Sequence, residues 1–444
     1  MTSVDTRYTV RVGRAEDAAG LATLQASTQL QPAGGGEPHP GIEAWVLDLM
    51  DGHPTVTPAD FLVVEDTATG RPAASLVGLR QDWYLGGVRL PVGQVELVAT
   101  DPGHRGNRLT ELLFTALHER YRADGVTLQM IEGIPYFYRR LGYDYALADD
   151  GAPSVPAASL PTVGSNGSGA GLTVRPAGVG DADALAAIDR RLTGDPVLSC
   201  PRDAGTWRYE IAGRRAADFA RNEVAVLVDG TDVCGYLVHS VQLFGAGELV
   251  LFAAACDRPA DWTRAAPAVL AYLGDVGRRY AAAAGQPFTL LRQRLSPLHP
   301  LVRSGPAGVP KRPRGWYMRL TDPVDLLDRL VPVLRERWNA ARLRWPEPAM
   351  TIDTYGRAAR LEFTDGELTA VTAVTAGRRS ADPSIDPQTH AAVPPAALLQ
   401  LALGYRTVPD VLVTWPDCVL RDRLTEHFLT VAFPPVEARL WPLA

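Results

Sequence analysis

Between Val92 and Leu117 the chain changes its hydrophobic period. Val92, Val95, Leu97 and Val98 suit a buried strand, whereas Leu109, Leu112, Leu113, Ala116 and Leu117 recur at helical spacing. The polar turn between them, Asp101-Pro-Gly-His-Arg-Gly-Asn-Arg108, predicts a loop that opens a helix. Free backbone N–H groups at such a start, with the helix dipole and Arg105, suit a pyrophosphate. A second apolar strand is expected from Val126 to Glu132, and Phe137-Tyr138-Arg139-Arg140-Leu141-Gly142-Tyr143 follows it.

The start of this pattern occurs twice. Tyr8-Thr-Val-Arg-Val-Gly-Arg-Ala-Glu-Asp17 and Leu172-Thr-Val-Arg-Pro-Ala-Gly-Val-Gly-Asp181 align at a constant offset, each a strand, an Asp-containing turn and a helix. Ala152 to Gly171 is rich in Pro, Ser, Gly and Ala without a charge and reads as the linker between two copies of one fold. The second copy has a strand at Leu249 to Cys256 and a helix at Ala265 to Tyr280. Asp257-Arg-Pro-Ala-Asp-Trp-Thr lies between them, and its aspartates repel a pyrophosphate, so this copy reads as a structural wall. From Trp316 a third unit is expected, with a helix at Val324 to Leu334 interrupted by Pro332. A hairpin at Leu361 to Val371 and a helix ended by Gly404 complete it. The apolar ending Leu440-Trp-Pro-Leu-Ala444 predicts a docked terminus, since free ends are usually polar and frayed.

Composition narrows the chemistry. The chain has 444 residues, 46% of them hydrophobic, enough for several cores. A net charge of −6 gives no broad footprint for nucleic acid and favours cationic substrates. Lys311 is the one lysine and has no Gly-rich loop before it, which excludes a P-loop and a lysine Schiff base. Cys200, Cys234, Cys256 and Cys418 lack Cys-x-x-Cys spacing and read as reduced thiols, with no metal site expected. No apolar run approaches a membrane span and no signal pattern opens the chain, so a cytoplasmic location is expected.

The phosphate-type loop and the Tyr138-Arg-Arg-Leu-Gly-Tyr143 segment together resemble the GNAT N-acetyltransferases, in which a tyrosine four residues before a glycine–aromatic pair follows the second strand. A positioned phenol can protonate the thiolate expelled from a thioester. The family's loop is Arg/Gln-x-x-Gly-x-Gly/Ala, and here Arg108 and Thr110 stand where small residues belong. Arg108 either adds a phosphate contact or obstructs one. The repeat and the last unit extend the resemblance to the Eis-like (enhanced intracellular survival) acetyltransferases, over nearly the whole chain. His104-Arg105, Trp316 to Leu320, Leu398-Leu-Gln-Leu-Ala-Leu-Gly-Tyr405 and Phe433-Pro434 carry that extension.

The resemblance implies an α/β (α+β) chain of tandem GNAT-like domains, the second degenerate, plus a C-terminal sterol-carrier-like α+β domain. The expected divisions are 1–151, a linker at 152–171, 172–315 and 316–444. It implies acetyl-CoA as co-substrate, a hexamer, and acetylation of amines on aminoglycoside-like molecules or lysine side chains. Its cofactor contacts map onto Val98, Ala99 and Thr100, onto Arg105, Gly106, Asn107, Arg108, Leu109, Thr110 and Glu111, and onto Ile131 and Glu132. Its acid maps onto Tyr138, with Tyr136 as the rival, and its base onto the carboxylate of Ala444.

For the acceptor, Gln29 to Pro54 reads as a lid whose Glu37, Glu43, Asp48 and Asp51 receive a cation, or as a surface helix with Trp45 packed inward. His39 and His53 are isolated and read as solvent-exposed loop residues. Two other functions compete with amine acetylation: an idle binding scaffold derived from the same fold, and an acyltransferase with a specialised biosynthetic acceptor.

Overall fold

The structure, a computed structural model, describes residues 7–29, 36–148, 150–162, 172–258, 261–374, 386 and 388–442. Its described strands form three sheets. The first runs in the order Tyr8–Val12, Phe61–Asp66, Arg71–Leu85, Val88–Thr100, Leu128–Ile131, Gly315–Leu320, Asp144–Ala148. Val88–Thr100 and Leu128–Ile131 are parallel, because the helix Leu109–Ala123 crosses over between them. Phe114, Leu113 and Leu117 on that helix are fully buried against Val95, Leu62 and Val64 of the sheet.

Gly315–Leu320 enters this sheet from far along the chain and separates Leu128–Ile131 from Asp144–Ala148. The strand that begins the expected C-terminal domain is therefore a member of the first sheet. The second sheet takes the reverse loan: Val155–Pro156, inside the expected linker, pairs with Leu290–Gln293. Otherwise the second sheet consists of Leu172–Pro176, Asn222–Asp229, Asp232–Ser240 and Glu248–Cys256.

The repeated sequence gives a repeated turn. Arg11 pairs with Asp17 at 2.7 Å and Arg175 with Asp181 at 2.7 Å, and each aspartate accepts the N–H of the residue three before it, Arg14 or Gly178, at 2.8 Å.

The third sheet, led by Ala349–Asp353, Ala358–Thr364 and Glu367–Val374, lies against the helix Pro323–Ala340. That helix continues through Pro332 instead of breaking there. A proline inside a helix costs about 3 kcal/mol, and the burial of Leu326, Leu327, Leu330, Leu334 and Trp338 outweighs it. These side chains share one core with Trp83, Leu90, Leu128 and Met130 of the first sheet, so the last unit rests on the sheet that carries the cleft.

Candidate active site

The site grows from a parting of two strands. Val88–Thr100 pairs with Leu128–Ile131 from Val92 through Gln94 and then runs on to Thr100 with that edge unpaired. Just past the last pair, Leu97 and Val98 together face Leu76 on the neighbouring strand, a bulge with Leu97 at φ 51°. The buried Gln25 amide holds the bulge by donating to the Leu97 carbonyl and, at 2.9 Å, to Ser75 Oγ. Beyond the bulge lies a cleft of about 490 Å³.

Its floor is the strand end Val98, Ala99 and Thr100, and one wall is the helix start from Leu109 to Glu111. Thr100 Oγ1 and Thr110 Oγ1 lie 3.4 Å apart and tie these together. Among the described residues, no protein acceptor meets the backbone N–H groups of residues 106–110. Free N–H donors at the positive end of a helix suit an anion. Gly106 at φ 86° and Arg108 at φ 56° produce the turn. The left-handed conformation costs Arg108 about 1 kcal/mol that a glycine avoids. Its guanidinium is 74% exposed on the rim and pairs with Glu111.

The opposite wall carries Ile134, Phe137, Tyr138 and Arg140. Tyr138 is 5% exposed, packed between Phe114, Phe137 and Tyr317 with ring centroids 5.0–5.8 Å away. Burial, and then the Glu96 carboxyl, raise its hydroxyl well above the ordinary tyrosine value, so it stays protonated. Tyr136 behaves differently. Its side chain is 79% exposed, its φ is 68°, and its backbone N–H donates to Tyr317 Oη at 2.5 Å. Burial thus distinguishes the two tyrosines.

Glu96 is a group that sequence reasoning missed. It is half-buried on the strand just before the bulge and accepts from Gln94 Nε2 at 2.8 Å. Desolvation pushes its carboxyl up to about 8; the Gln94 bond opposes this, Glu132 adds to it and Arg294 opposes it. The signal available in the sequence was an acid inside an apolar strand, Val95-Glu96-Leu97, three residues after Gly93.

Most residues expected at the cofactor line the cleft: Val98, Ala99, Thr100, Arg105, Gly106, Arg108, Leu109, Thr110 and Glu111. Three do not. Asn107 turns away to donate to Tyr8 Oη at 3.2 Å and the His104 carbonyl at 2.9 Å. Ile131 is buried beneath the sheet, paired with Tyr317, and Glu132 points to the second unit, where it meets Arg294 at 3.4 Å and Arg314. Ala444 lies outside the described residues, as does the 30–35 part of the expected lid.

Pro40–Met50 is a helix with Trp45 packed inward. Asp48 on it is buried and bound to Arg215, so it is not open to an acceptor. Neither histidine is an idle exposed loop residue. His39 caps that helix by accepting from Gly41 N–H at 3.2 Å. His53 is buried beside Tyr209, and burial, then Arg214, push it down to about 4. No group able to hold a metal occurs among the described residues, nor any helix long and apolar enough to cross a membrane.

Residues 25–146, which contain the whole cleft, match the family model described as an acetyltransferase (GNAT) domain. No curated protein matches the sequence. Similar solved structures include a GCN5-related N-acetyltransferase from Anabaena variabilis, with TM-score 0.66, 13% identity, and 96% of this chain and 97% of that one covered. The GCN5-related N-acetyltransferase from Kribbella flavida gives TM-score 0.63 at 18% identity over 97% and 98% of the two chains. Eis1 from Mycobacterium abscessus gives 0.60 at 16% over 98% and 99%. At such identities the likeness is one of fold.

Proposed function

Starting from a GNAT acetyltransferase domain at residues 25–146 and hence from an acyltransferase, we propose that this chain moves an acetyl group from acetyl-CoA to a primary amine of a cationic molecule, aminoglycoside-like or a lysine side chain. The observation that carries this reading is one cleft lined both by a helix start whose N–H groups have no protein acceptor and by the buried Tyr138. The N–H groups of residues 106–110 receive the pyrophosphate, Arg105 and Arg108 add positive charge at the rim, and the parted strands leave room for the thioester arm.

The amine nitrogen attacks the thioester carbonyl carbon, and the carbon–sulfur bond breaks. Tyr138 gives its proton to the departing sulfur. Glu96 takes the proton that the amine loses, since a carboxyl near pH 8 is close in affinity to that task. In this reading Glu96, whose charge acts on the Tyr138 hydroxyl, is the base, where the family resemblance implies the carboxylate of Ala444. The acceptor's positive charge suits the Glu96 carboxylate once it is ionised.

The same reading extends to the architecture. The first and second sheets form tandem GNAT-like units, the second without a phosphate loop, and the last unit is sterol-carrier-like. A cytoplasmic hexamer completes it. The test is calorimetry with acetyl-CoA, followed by turnover on a panel of amines. Saturable binding weakened by Arg105→Glu, with thiol release that depends on amine, is expected. A folded chain that gives no heat with acetyl-CoA sinks the proposal and leaves the scaffold reading.

A further inference from the structure

The second sheet repeats the parting that makes the cleft. Glu248–Cys256 pairs in parallel with Leu290–Gln293 from Glu248 through Leu251 and then runs on to Cys256 with that edge unpaired. A bulge follows the last pair here too: Val238 faces Ala253 and His239 faces Leu251, so Phe252 is the extra residue. The place where the first unit has its cleft exists again in the second.

It holds something else. The cavity left there is about 40 Å³, room for a water or two, and one of its walls is Ala438 to Trp441 from the far end of the chain. Ala438–Arg439 enters as a short strand alongside Leu198–Ser199. Trp441 then lies under Arg202, whose guanidinium is 3.6 Å from the ring centroid, with the Trp207 ring 5.8 Å away. The Trp441 N–H donates to Cys200 Sγ at 3.2 Å, and Arg202 Nη2 donates to the Pro442 carbonyl at 3.2 Å. The Arg202 side chain is 4% exposed, so its charge depends on these partners and on Glu210 at 3.9 Å.

Another wall of the same cavity is Arg294, which reaches Glu132 at 3.4 Å at the end of the strand beside the active cleft. We propose that the parted strands of the second sheet are a receptor for the chain's own residues 438–442, and that their docking holds Arg294 on Glu132 and so sets the surroundings of Glu96. The second half of this rests on the acetyl-transfer reading above. Arg202 and Trp441 act here as positioning residues.

The charged and titratable groups facing Glu96 are Glu132, Arg294 and Tyr138. With the wall at Trp441 removed, Arg294 has space to swing from Glu132, and the attraction that favours the Glu96 carboxylate weakens. Glu96 then ionises at higher pH.

The experiment uses full-length Trp441→Ala and Arg202→Lys chains, with Trp441→Phe as the conservative control. Amide hydrogen exchange should speed up at least about tenfold over residues 438–442 in both variants, the equivalent of about 1.4 kcal/mol. Exchange over residues 131–134 should rise with it, and the rising limb of the pH–rate profile should move to higher pH while acetyl-CoA affinity stays unchanged. Trp441→Phe should restore both. Residues 438–442 remaining protected in both variants would overturn the receptor. A freed segment with unchanged exchange at 131–134 and an unchanged pH profile would overturn its link to the cleft. If the wild-type chain acetylates no amine, the function reading fails, and the exchange pattern alone still decides the docking.

Discussion

Tyr138 occupies the space that a side chain on Gly133 would need: a Cβ built on Gly133 runs into Cε2 and Cδ2 of the tyrosine ring. The glycine's role here is spatial, and it lets the ring lie flat on the backbone that leaves the second strand of the cleft.

Gly133→Ala is therefore expected to displace Tyr138 without touching the helix start. A misplacement of about 1 Å costs roughly 10²-fold in rate. Steady-state kinetics should give a kcat loss of about that size, with acetyl-CoA affinity by calorimetry nearly unchanged.

Tyr138→Phe keeps the packing on Phe114 and Tyr317 and removes the proton. The expected fall in kcat is about 10²- to 10⁴-fold, with little change in Tm. Tyr136→Phe should be nearly silent, because its contact with Tyr317 is made by the backbone. The larger loss in Tyr136→Phe would move the acid to that residue.

Glu96 sets the pH dependence. Its carboxyl titrates near 8 in the folded chain, and the base is its ionised form, so kcat/KM should rise with pH and level off above about 8. In Glu96→Gln that limb should vanish along with most of the rate. Stability runs the other way. A carboxyl raised from its ordinary 4.5 to about 8 stabilises the fold below pH 4.5, and this contribution disappears as pH rises through 8. Denaturant titrations across that window should show a decline that Glu96→Gln flattens.

A chain ending at Asp150 should not fold to a working first unit. Leu128–Ile131 and Asp144–Ala148 are not neighbours; each pairs with Gly315–Leu320. Circular dichroism should show incomplete strand content, and calorimetry should show no acetyl-CoA binding. A cooperatively folded fragment with full affinity would contradict this.

The cleft could be read from local pattern because its main parts are local. A strand, a polar turn and a helix within Val92 to Leu117 need only period and capping chemistry to be recognised, and Tyr138 follows shortly after the next strand. What could not be read is what distant segments do to these parts. Glu96 looks like an ordinary strand acid until Gln94, Glu132 and Arg294 surround it. Asp48 reads as a free carboxylate because its partner Arg215 is 167 residues away. Asn107 belongs to the right loop, yet Tyr8 turns it outward. Pro332 announced a break that tertiary packing overrules.

Tyr317 lies 181 residues beyond Tyr136, and its hydroxyl receives the N–H of the turn that leads into Tyr138. During synthesis the first sheet therefore waits, with the edge of Leu128–Ile131 bare, until the strand Gly315–Leu320 has left the ribosome. Contacts of such long separation form slowly, and an unpaired apolar edge invites mispairing meanwhile. Catalytic competence thus becomes a late event in the life of the nascent chain: a polypeptide stalled or cut before Gly315 has a nearly complete set of cleft residues and no means of setting them.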